Sequence, residues 1–498
     1  MNFYSQHSQI ILLLKLLLIL ILISITFSKY PDNITNPELV FSSNYLNFNI
    51  SNETLLSNYN NFAKKISIPH TIRIDKYGQL FISVPRHLNE NGKYIPGTIN
   101  ILKNNQLFPW PNEKENDFNN GIIHSVAGFE INVDGYLFLL NHINKTHNNI
   151  LYYSPEGKLL RMFDLSNATK HLNHQSFLSN IVVDLIYNYA YVTDTGILLN
   201  KDNNNIENTE SNILVVNLNK NLTLRTIEDN ICVYPNVSYL TKDVNINNIG
   251  VFGLALDCSK RTLYFSPVKS NKLYSIRTFK LQEERTIRGE TDISSINKNT
   301  AGFELTSSAR GILYYTSIEE NAVLVNFYER EYSFNIIRKI GHDLNKFNET
   351  KKEFPTSLTF NGTTGYLFYL VNRHNIFIND NINKELKDEN NFQIYKVLVN
   401  DRSYLYSCNV SEYMPSFYWP IIVMISMIIS YFLIILMKKV GNIPINENEE
   451  KDEELIKIAF SSIEVKYNIP LALEVNSNPA VFLFIDEISV SPLIVLSS

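Results

Sequence analysis

Six copies of one short phrase constrain this chain more than any other feature. Each is a polar or charged turn followed by an apolar and aromatic strand. Aligned on the first apolar pair, they give Leu80-Phe81 in "DKYGQLFISV", Leu137-Phe138 in "NVDGYLFLLN" and Ala190-Tyr191 in "LIYNYAYVTD". Leu263-Tyr264 in "DCSKRTLYFSPV", Leu313-Tyr314 in "SSARGILYYTS" and Leu367-Phe368 in "NGTTGYLFYLV" complete the set. The intervals are 57, 53, 73, 50 and 54 residues. A period of about fifty is the size of a four-stranded propeller blade rather than of a helical repeat. A chain rich in Asn, Ile and Tyr produces such phrases by accident, but accident gives no reason for near-even spacing.

An apolar strand also precedes the turn: "IRID" before "LFISV", "IVVD" before "AYVTD", "FGLALD" before "LYFSPV". Asp, Asn and Gly tolerate the dihedrals of a tight turn, and β-branched and aromatic residues fit a pleated surface buried between neighbouring blades. An all-β chain with one such hairpin per blade is therefore expected. The long interval holds "NKDNNNIENTESN" (200–212), which cannot bury apolar surface and reads as a solvent loop. "INDNINKELKDENN" (378–391) reads the same way.

The ends of the chain suggest a membrane-anchored ectodomain. "IILLLKLLLILILISITFS" (10–28) fits a secretory signal peptide over residues 1–28, with an uncleaved anchor as the alternative because the run is long. "WPIIVMISMIISYFLIILM" (419–437) carries no charge across 19 residues and is followed by Lys438 and Lys439, the pattern of a transmembrane helix over 418–437 with a cytosolic tail over 438–498. Between them we expect a lead-in over 29–65 and a propeller over 66–410, in type I orientation. Candidate glycosylation sequons at Asn33, Asn49, Asn52, Asn144, Asn167, Asn221, Asn236, Asn348, Asn361 and Asn409 all precede the second apolar run. The formal charge of -5 resides wholly in the tail, leaving 39 basic and 39 acidic residues elsewhere. That balance removes any global electrostatic case for nucleic acid as a partner. Of three cysteines, Cys232 and Cys258 could close a loop inside one repeat, although connectivity is not readable from spacing.

Several ordered phrases resemble the yellow / major royal jelly protein family. "SVPRHLNENGKYIPGTINIL" (83–102) followed by "LFPWPNE" (107–113) is similar to its opening segment. "SFLSNIVVDLIYNYAYVTDTG" (176–196) and "GVFGLALDCSKRTLYFSPVKSNKLYSI" (250–276) resemble its central segments. "LFYLVNRHNIF" (367–377), "NNFQIYKVLV" (390–399) and Cys408 resemble its closing strands and last cysteine. The resemblance implies a six-bladed β-propeller, in agreement with the six phrases, and a small amine-like ligand in the central channel. In "NVDGYLFLLNH" the family's Cys and Trp are absent and its final Asp is Asn141, so a disulfide through that Cys is not expected here.

Catalytic signatures are absent: there is no G-x-S-x-G, no P-loop, no H-E-x-x-H and no G-x-G-x-x-G. His171 and His174 form the nearest thing to a metal pair, without an adjacent carboxylate. No cofactor or metal is expected. The candidate ligand-binding residues stand where the repeated strands end: Asn141 and His142, Asp194, and Asn372 with His374, faced by Ser357 from the preceding strand. Asp194 could pair with an ammonium or cap a turn. The expected function is a displayed propeller that binds a small molecule in its channel, or else a protein or glycan partner. One alternative is an isomerase of the dopachrome-conversion kind, moving a proton through His142 or His374. A second is a calcium-assisted lactonase, which would need Glu130 and Asp194 to converge on one ion.

Overall fold

The computed structural model describes residues 36–408, apart from 89, 145–146, 170–175, 200–205, 209–210, 226, 228–231, 237–248, 284–292, 299, 329–334, 342–353 and 373–389. All of these lie within one compact unit, Met1–Pro415. They form six four-stranded antiparallel sheets, the blades of a propeller. Blade 1 comprises Ile72–Ile74, Leu80–Ser83, Ile99–Lys103 and Gln106–Pro109; blade 2, Val126–Ile131, Leu137–His142, Asn148–Tyr153 and Leu159–Asp164. Blade 3 comprises Leu178–Asp184, Tyr189–Asp194, Asn212–Asn217 and Leu222–Arg225; blade 4, Val251–Asp257, Thr262–Pro267, Lys272–Arg277 and Ile293–Asn297. Blade 5 comprises Leu305–Ser307, Leu313–Ser317, Ala322–Tyr328 and Asn335–Gly341. Blade 6 comprises Phe354–Asn361, Tyr366–Asn372, Phe392–Leu398 and, outermost, Glu38–Ser43. The six first strands pack in chain order, and the first returns to the sixth, enclosing a central channel.

Every copy of the repeated pair falls in the second strand of its blade. Two residues before each pair stands a residue with positive φ: Gly78 (79°), Gly135 (92°), Asn188 (57°), Arg261 (48°), Gly311 (75°) and Gly365 (73°). Glycine reaches that region without a Cβ penalty, and asparagine comes next. The residue that opens the turn supplies a side-chain acceptor. Asp75 Oδ1 takes the N–H of Tyr77 and Gln79, Asn132 Oδ1 that of Asp134 and Tyr136, and Asp184 Oδ1 that of Ile186 and Tyr187. The polar turn is therefore a hydrogen-bond device that reverses the chain at what we call the lower face. Second strands end, and first strands begin, at the upper face.

Cores lie between blades. Phe138, Leu140 and Ile150 of blade 2 pack against Ile181, Val183, Ala190, Val192, Leu214 and Val216 of blade 3, all buried. Fully burying one such aliphatic or aromatic side chain contributes about 1.5–3 kcal/mol.

The predicted lead-in boundary is corrected by the pairing of Glu38–Ser43 with Phe392–Leu398. Without it, the last blade would expose a row of unpaired backbone groups. The chain then crosses to blade 1, where Leu107 N–H bonds Asn47 O (2.8 Å) and Asn49 N–H bonds Leu107 O (2.9 Å). The segment before residue 66 thus fastens the last blade to the first.

The expected Cys232–Cys258 pairing is also corrected: the disulfide joins Cys258 to Cys408, with Cα atoms 5.3 Å apart. Val233 O accepts the Val251 N–H at the start of Val251–Asp257, whereas Cys258 follows its end. A seven-residue strand spans roughly 20 Å, far beyond the ~7 Å limit of a disulfide.

Among the described residues, no helix is long and apolar enough to cross a membrane. The apolar runs at 10–28 and 419–437 lie outside the described residues. So do Asn33, Asn348, Asn409, His171, His174 and His374. Of the remaining sequons, Asn49, Asn52, Asn144, Asn167 and Asn221 are exposed and Asn236 is half-buried. Asn361 is buried, its Oδ1 accepting from Thr363 N and Oγ1 in the blade 6 turn.

Candidate functional site

The middle of the channel is filled by a charged plug. First strands are edge strands, and their inward-facing backbone groups need partners. Ser357 Oγ accepts from Ile72 N–H (3.1 Å), Glu130 Oε1 from Ile131 N–H (3.0 Å) and Asn180 Oδ1 from Ile181 N–H (2.9 Å). Arg73, also buried, donates to the carbonyls of Ile72 and Leu358. Its guanidinium meets Glu130 at 3.3 Å and Glu304 at 3.7 Å, and donates to Asn180 Oδ1 at 3.3 Å. Asn180 Nδ2 donates to Glu304 Oε1 at 2.6 Å.

Burial works against a charge on Arg73, but Glu130 and Glu304 outweigh it and hold the guanidinium firmly protonated. Burial raises Glu304 to about 7, with Arg73 opposing. Glu130 is raised for the same reason, with Arg73, the Ile131 N–H and the Tyr404 hydroxyl opposing. Tyr404 arrives from below on the short helix Tyr404–Tyr406, donating to Glu130 Oε2 (3.3 Å) and accepting from Val183 N–H (3.0 Å). The Cys258–Cys408 disulfide fastens that segment. Residues from five of the six blades thus meet on Arg73, and this level of the channel is a satisfied polar core.

Above the plug lies a layer of rings. His142, ending the second strand of blade 2, meets His87, which follows the second strand of blade 1, edge to face at 4.2 Å. His87 meets Phe177 at 5.3 Å, Phe177 meets His70 at 5.8 Å, and His70 meets Phe252 at 5.4 Å. Phe252 reaches Phe303 at 5.8 Å, and Phe354 joins the same apolar cluster, so every blade contributes a ring. His70 and His87 keep part of their surface open; the Nε2 atoms of all three imidazoles are buried, with the Ala127 carbonyl close to the His70 ring and the Ser176 carbonyl close to the His142 ring, while His87 Nε2 has no protein partner. Burial lowers His70 to about 4 and His87 well below the ordinary imidazole range, the latter helped by His142 and His70. It also lowers His142 despite Asn148, Asp194 and the Ser176 backbone. The layer therefore presents neutral imidazoles among phenyl faces.

Residues 138–408, just over half of the chain, match the family model described as major royal jelly protein. The chain belongs to the major royal jelly protein family. Protein yellow of Drosophila melanogaster and that of Drosophila simulans are each 24% identical over 294 residues, covering 51% of this chain and 50% of theirs. The chain thus spans about half the length of the curated relatives it matches. Among solved structures, a luciferin-regenerating enzyme is similar with 11% identity and a TM-score of 0.42, covering 68% of this chain and 94% of that one. A gluconolactonase of Xanthomonas campestris is similar with 9% identity and a TM-score of 0.39, covering 73% and 98%.

Within this royal jelly propeller the sequence-predicted residues divide by height. His142 stands in the ring layer. Asn372, buried at the end of its strand, donates to Pro69 O (3.3 Å) beside His70. Asp194 accepts from Ser176 Oγ (2.6 Å), Phe177 N (3.0 Å) and Gly196 N (3.2 Å), so it positions Phe177. Asn141 Oδ1 accepts from His124 N and Ser125 N, fixing the loop against which His87 leans. Ser357 lies lower, in the plug, where its hydroxyl also acts on Glu304. The repeated strands are second in their blades, so their ends reach the upper mouth and not the channel wall.

Sequence reasoning missed His70, His87, Phe177, Phe252 and Phe303. His70 and His87 flank the first repeat, and that symmetry was the available signal. The Pro-Arg of the family's opening segment also gains a physical meaning. Buried Arg86 donates to the carbonyls of Ile95, Pro96, Asn116 and His124, locking the loop that carries His87.

Proposed function

We propose that this member of the royal jelly family is a ligand-binding propeller that takes a small aromatic molecule at the upper mouth of its channel. The ring layer carries this reading: six blades converge on phenyl faces interleaved with neutral imidazoles, of which His87 has no protein partner at Nε2. An unpaired buried polar atom costs about 1–3 kcal/mol, which a ligand hydrogen bond would recover. The plug supports the same placement, since Arg73 leaves the middle of the channel no room for a guest.

The molecule is expected outside the cell or in a secretory lumen, with glycans on its exposed sequons and residues 418–437 as its anchor. The sequence patterns support this topology. A protein or glycan partner is the expectation if no small molecule binds.

One observation favours a second reading. Neutral imidazoles 4.2 Å apart could remove a proton from a ligand and return it elsewhere, with no net oxidation, as an isomerase of the dopachrome-conversion kind requires. The lactonase alternative finds less support. Glu130 is engaged by Arg73, and the oxygens of Asp194 are taken by the Phe177 loop.

The test is calorimetric titration of the full chain with catechol and indole amines, with and without calcium. Binding near one equivalent that is lost in Phe177→Ala and weakened in Asn372→Ala supports the proposal. No heat from any ligand on folded protein refutes it and shifts attention to macromolecular partners.

A further inference from the structure

The plug holds more carboxyls than it can balance. Arg73, Glu130 and Glu304 are 6%, 5% and 4% exposed, and one guanidinium stands against two acids. An unbalanced carboxylate buried this deeply costs far more than a protonated one, so the folded plug keeps a proton. The donors decide where it sits. Glu130 receives Arg73 Nε at 3.3 Å, the Ile131 N–H at 3.0 Å and the Tyr404 hydroxyl at 3.3 Å. Glu304 receives Asn180 Nδ2 at 2.6 Å and the Ser357 hydroxyl, with the guanidinium farther off at 3.7 Å. Glu130 is the better-matched anion, and the proton belongs to Glu304.

Glu304 also stands where blade 5 meets the hub. It directly precedes the first strand of that blade, Leu305–Ser307, and follows Phe303 of the ring layer. Within its own blade this connection hangs on Thr316. The Thr316 hydroxyl oxygen accepts from the N–H of Phe303 (2.8 Å) and of Glu304 (3.1 Å), and its N–H donates to Glu304 O (3.1 Å). The body of blade 5 is fixed by other means: Leu305, Leu313 and Tyr315 pack on blade 4, and Tyr314 and Val325 pack on blade 6. The Glu304 side chain therefore ties the inner connection, and not the blade, to Asn180 and Arg73.

We propose that Glu304 is a proton-operated latch, which holds the Phe303–Glu304 connection in the hub in acidic medium and lets it open toward solvent in neutral medium while the blades stay packed. Ionised Glu304 would share one guanidinium with Glu130, and water admitted by a local opening relieves that excess charge. The height to which burial raises Glu304, about 7, puts the change between an acidic compartment and a neutral exterior. The other titratable groups facing the cluster do not supply it. Arg73 stays charged, Tyr404 stays neutral, and Glu130 has its three donors. His70, beside Arg73, and Lys298, buried near Glu319 on the same connection, are both lowered by burial and so oppose the effect as pH rises. The latch stands whether or not an aromatic molecule binds above it.

Hydrogen exchange of the full chain, followed by mass spectrometry between pH 5.5 and 8 and corrected for the intrinsic pH dependence of amide exchange, reads the latch. Opening of residues 303–307 should grow at least about tenfold across that range relative to Glu304→Gln, in which His70 and Lys298 are unchanged. These amides should also exchange ahead of the third strands Lys272–Arg277 and Phe392–Leu398, which report unfolding of the whole propeller. Infrared difference spectroscopy of the unmodified protein needs no variant: the band of a buried protonated carboxyl should be lost over the pH range in which residues 303–307 open. Three results would each overturn the latch. They are exchange of residues 303–307 only together with the third strands, an opening with the same pH dependence in Glu304→Gln, and no loss of a protonated carboxyl between pH 5.5 and 8.

Discussion

Glu304→Gln isolates the charge balance of the channel plug. Arg73 carries one positive charge against two carboxylates, and burial lifts Glu304 from 4.5 to about 7. The unfolded chain loses this proton near the lower value and the folded chain near the higher. Between the two, the folded state binds more protons, so stability falls as pH rises through that window and the loss is complete above it. A gap of two to three units corresponds to about 3 kcal/mol. Glutamine keeps an oxygen for Asn180 and Arg73 but cannot ionise. Urea unfolding of both proteins at pH 5, 6, 7 and 8 should show little difference at pH 5. At pH 8 the variant should be more stable by up to about 3 kcal/mol. The imidazole contributions are common to both proteins and cancel in the comparison. A difference that does not change with pH, or a variant less stable at pH 8, would refute the reasoning.

The remaining predictions concern the imidazoles, the turns and the closures. In the Glu304→Gln background, His70→Asn should remove a contribution to stability that rises with pH from about 4 to about 6.5, because the unfolded chain binds a proton there that buried His70 refuses; buried carboxyls such as Asp184 act the other way but cancel between the two proteins, and a difference in urea midpoint that does not change with pH would contradict it. Asn188→Gly relieves a positive φ of 57° and should stabilise by about 0.5–1 kcal/mol. Arg261→Gly should give less, because it also discards the guanidinium stacked 4.1 Å from the Tyr187 ring; thermal denaturation of the two variants decides the order. Cys408→Ser opens a loop of sequence separation 150 and should cost up to about 5 kcal/mol in urea unfolding. Deleting residues 38–43 bares the edge of Phe392–Leu398 and should produce self-association on size exclusion.

The hairpins were legible in the sequence because a turn is local chemistry. A side-chain acceptor such as Asp75, a positive-φ position such as Gly78 and the strand after them stand within a few residues of each other. The closures were not legible. Glu38–Ser43 finds its partner more than 340 residues away, and nothing in its composition names that partner. The disulfide failed for the same reason: Cys232 and Cys258 are near in sequence but stand at opposite ends of one strand. The site was half visible. Reading strand ends located His142 and Asn372, yet the convergence of His70, His87 and Phe177 depends on ring closure, which places residues from different blades side by side. Arg73 and Glu304 were invisible because Arg73 sits alone between two isoleucines of its strand, Glu304 directly precedes the first strand of blade 5, and their pairing exists only across the channel.

The most direct test of the account is a crystal structure of the protein soaked with the tightest-binding aromatic molecule from the titrations. The account predicts density at the upper mouth against Phe177, with a polar atom of the ligand at Nε2 of His87 and the Arg73–Glu130–Glu304 plug undisturbed beneath it. Density at the level of Arg73, or on the outer face of a blade with the ring layer empty, would contradict it.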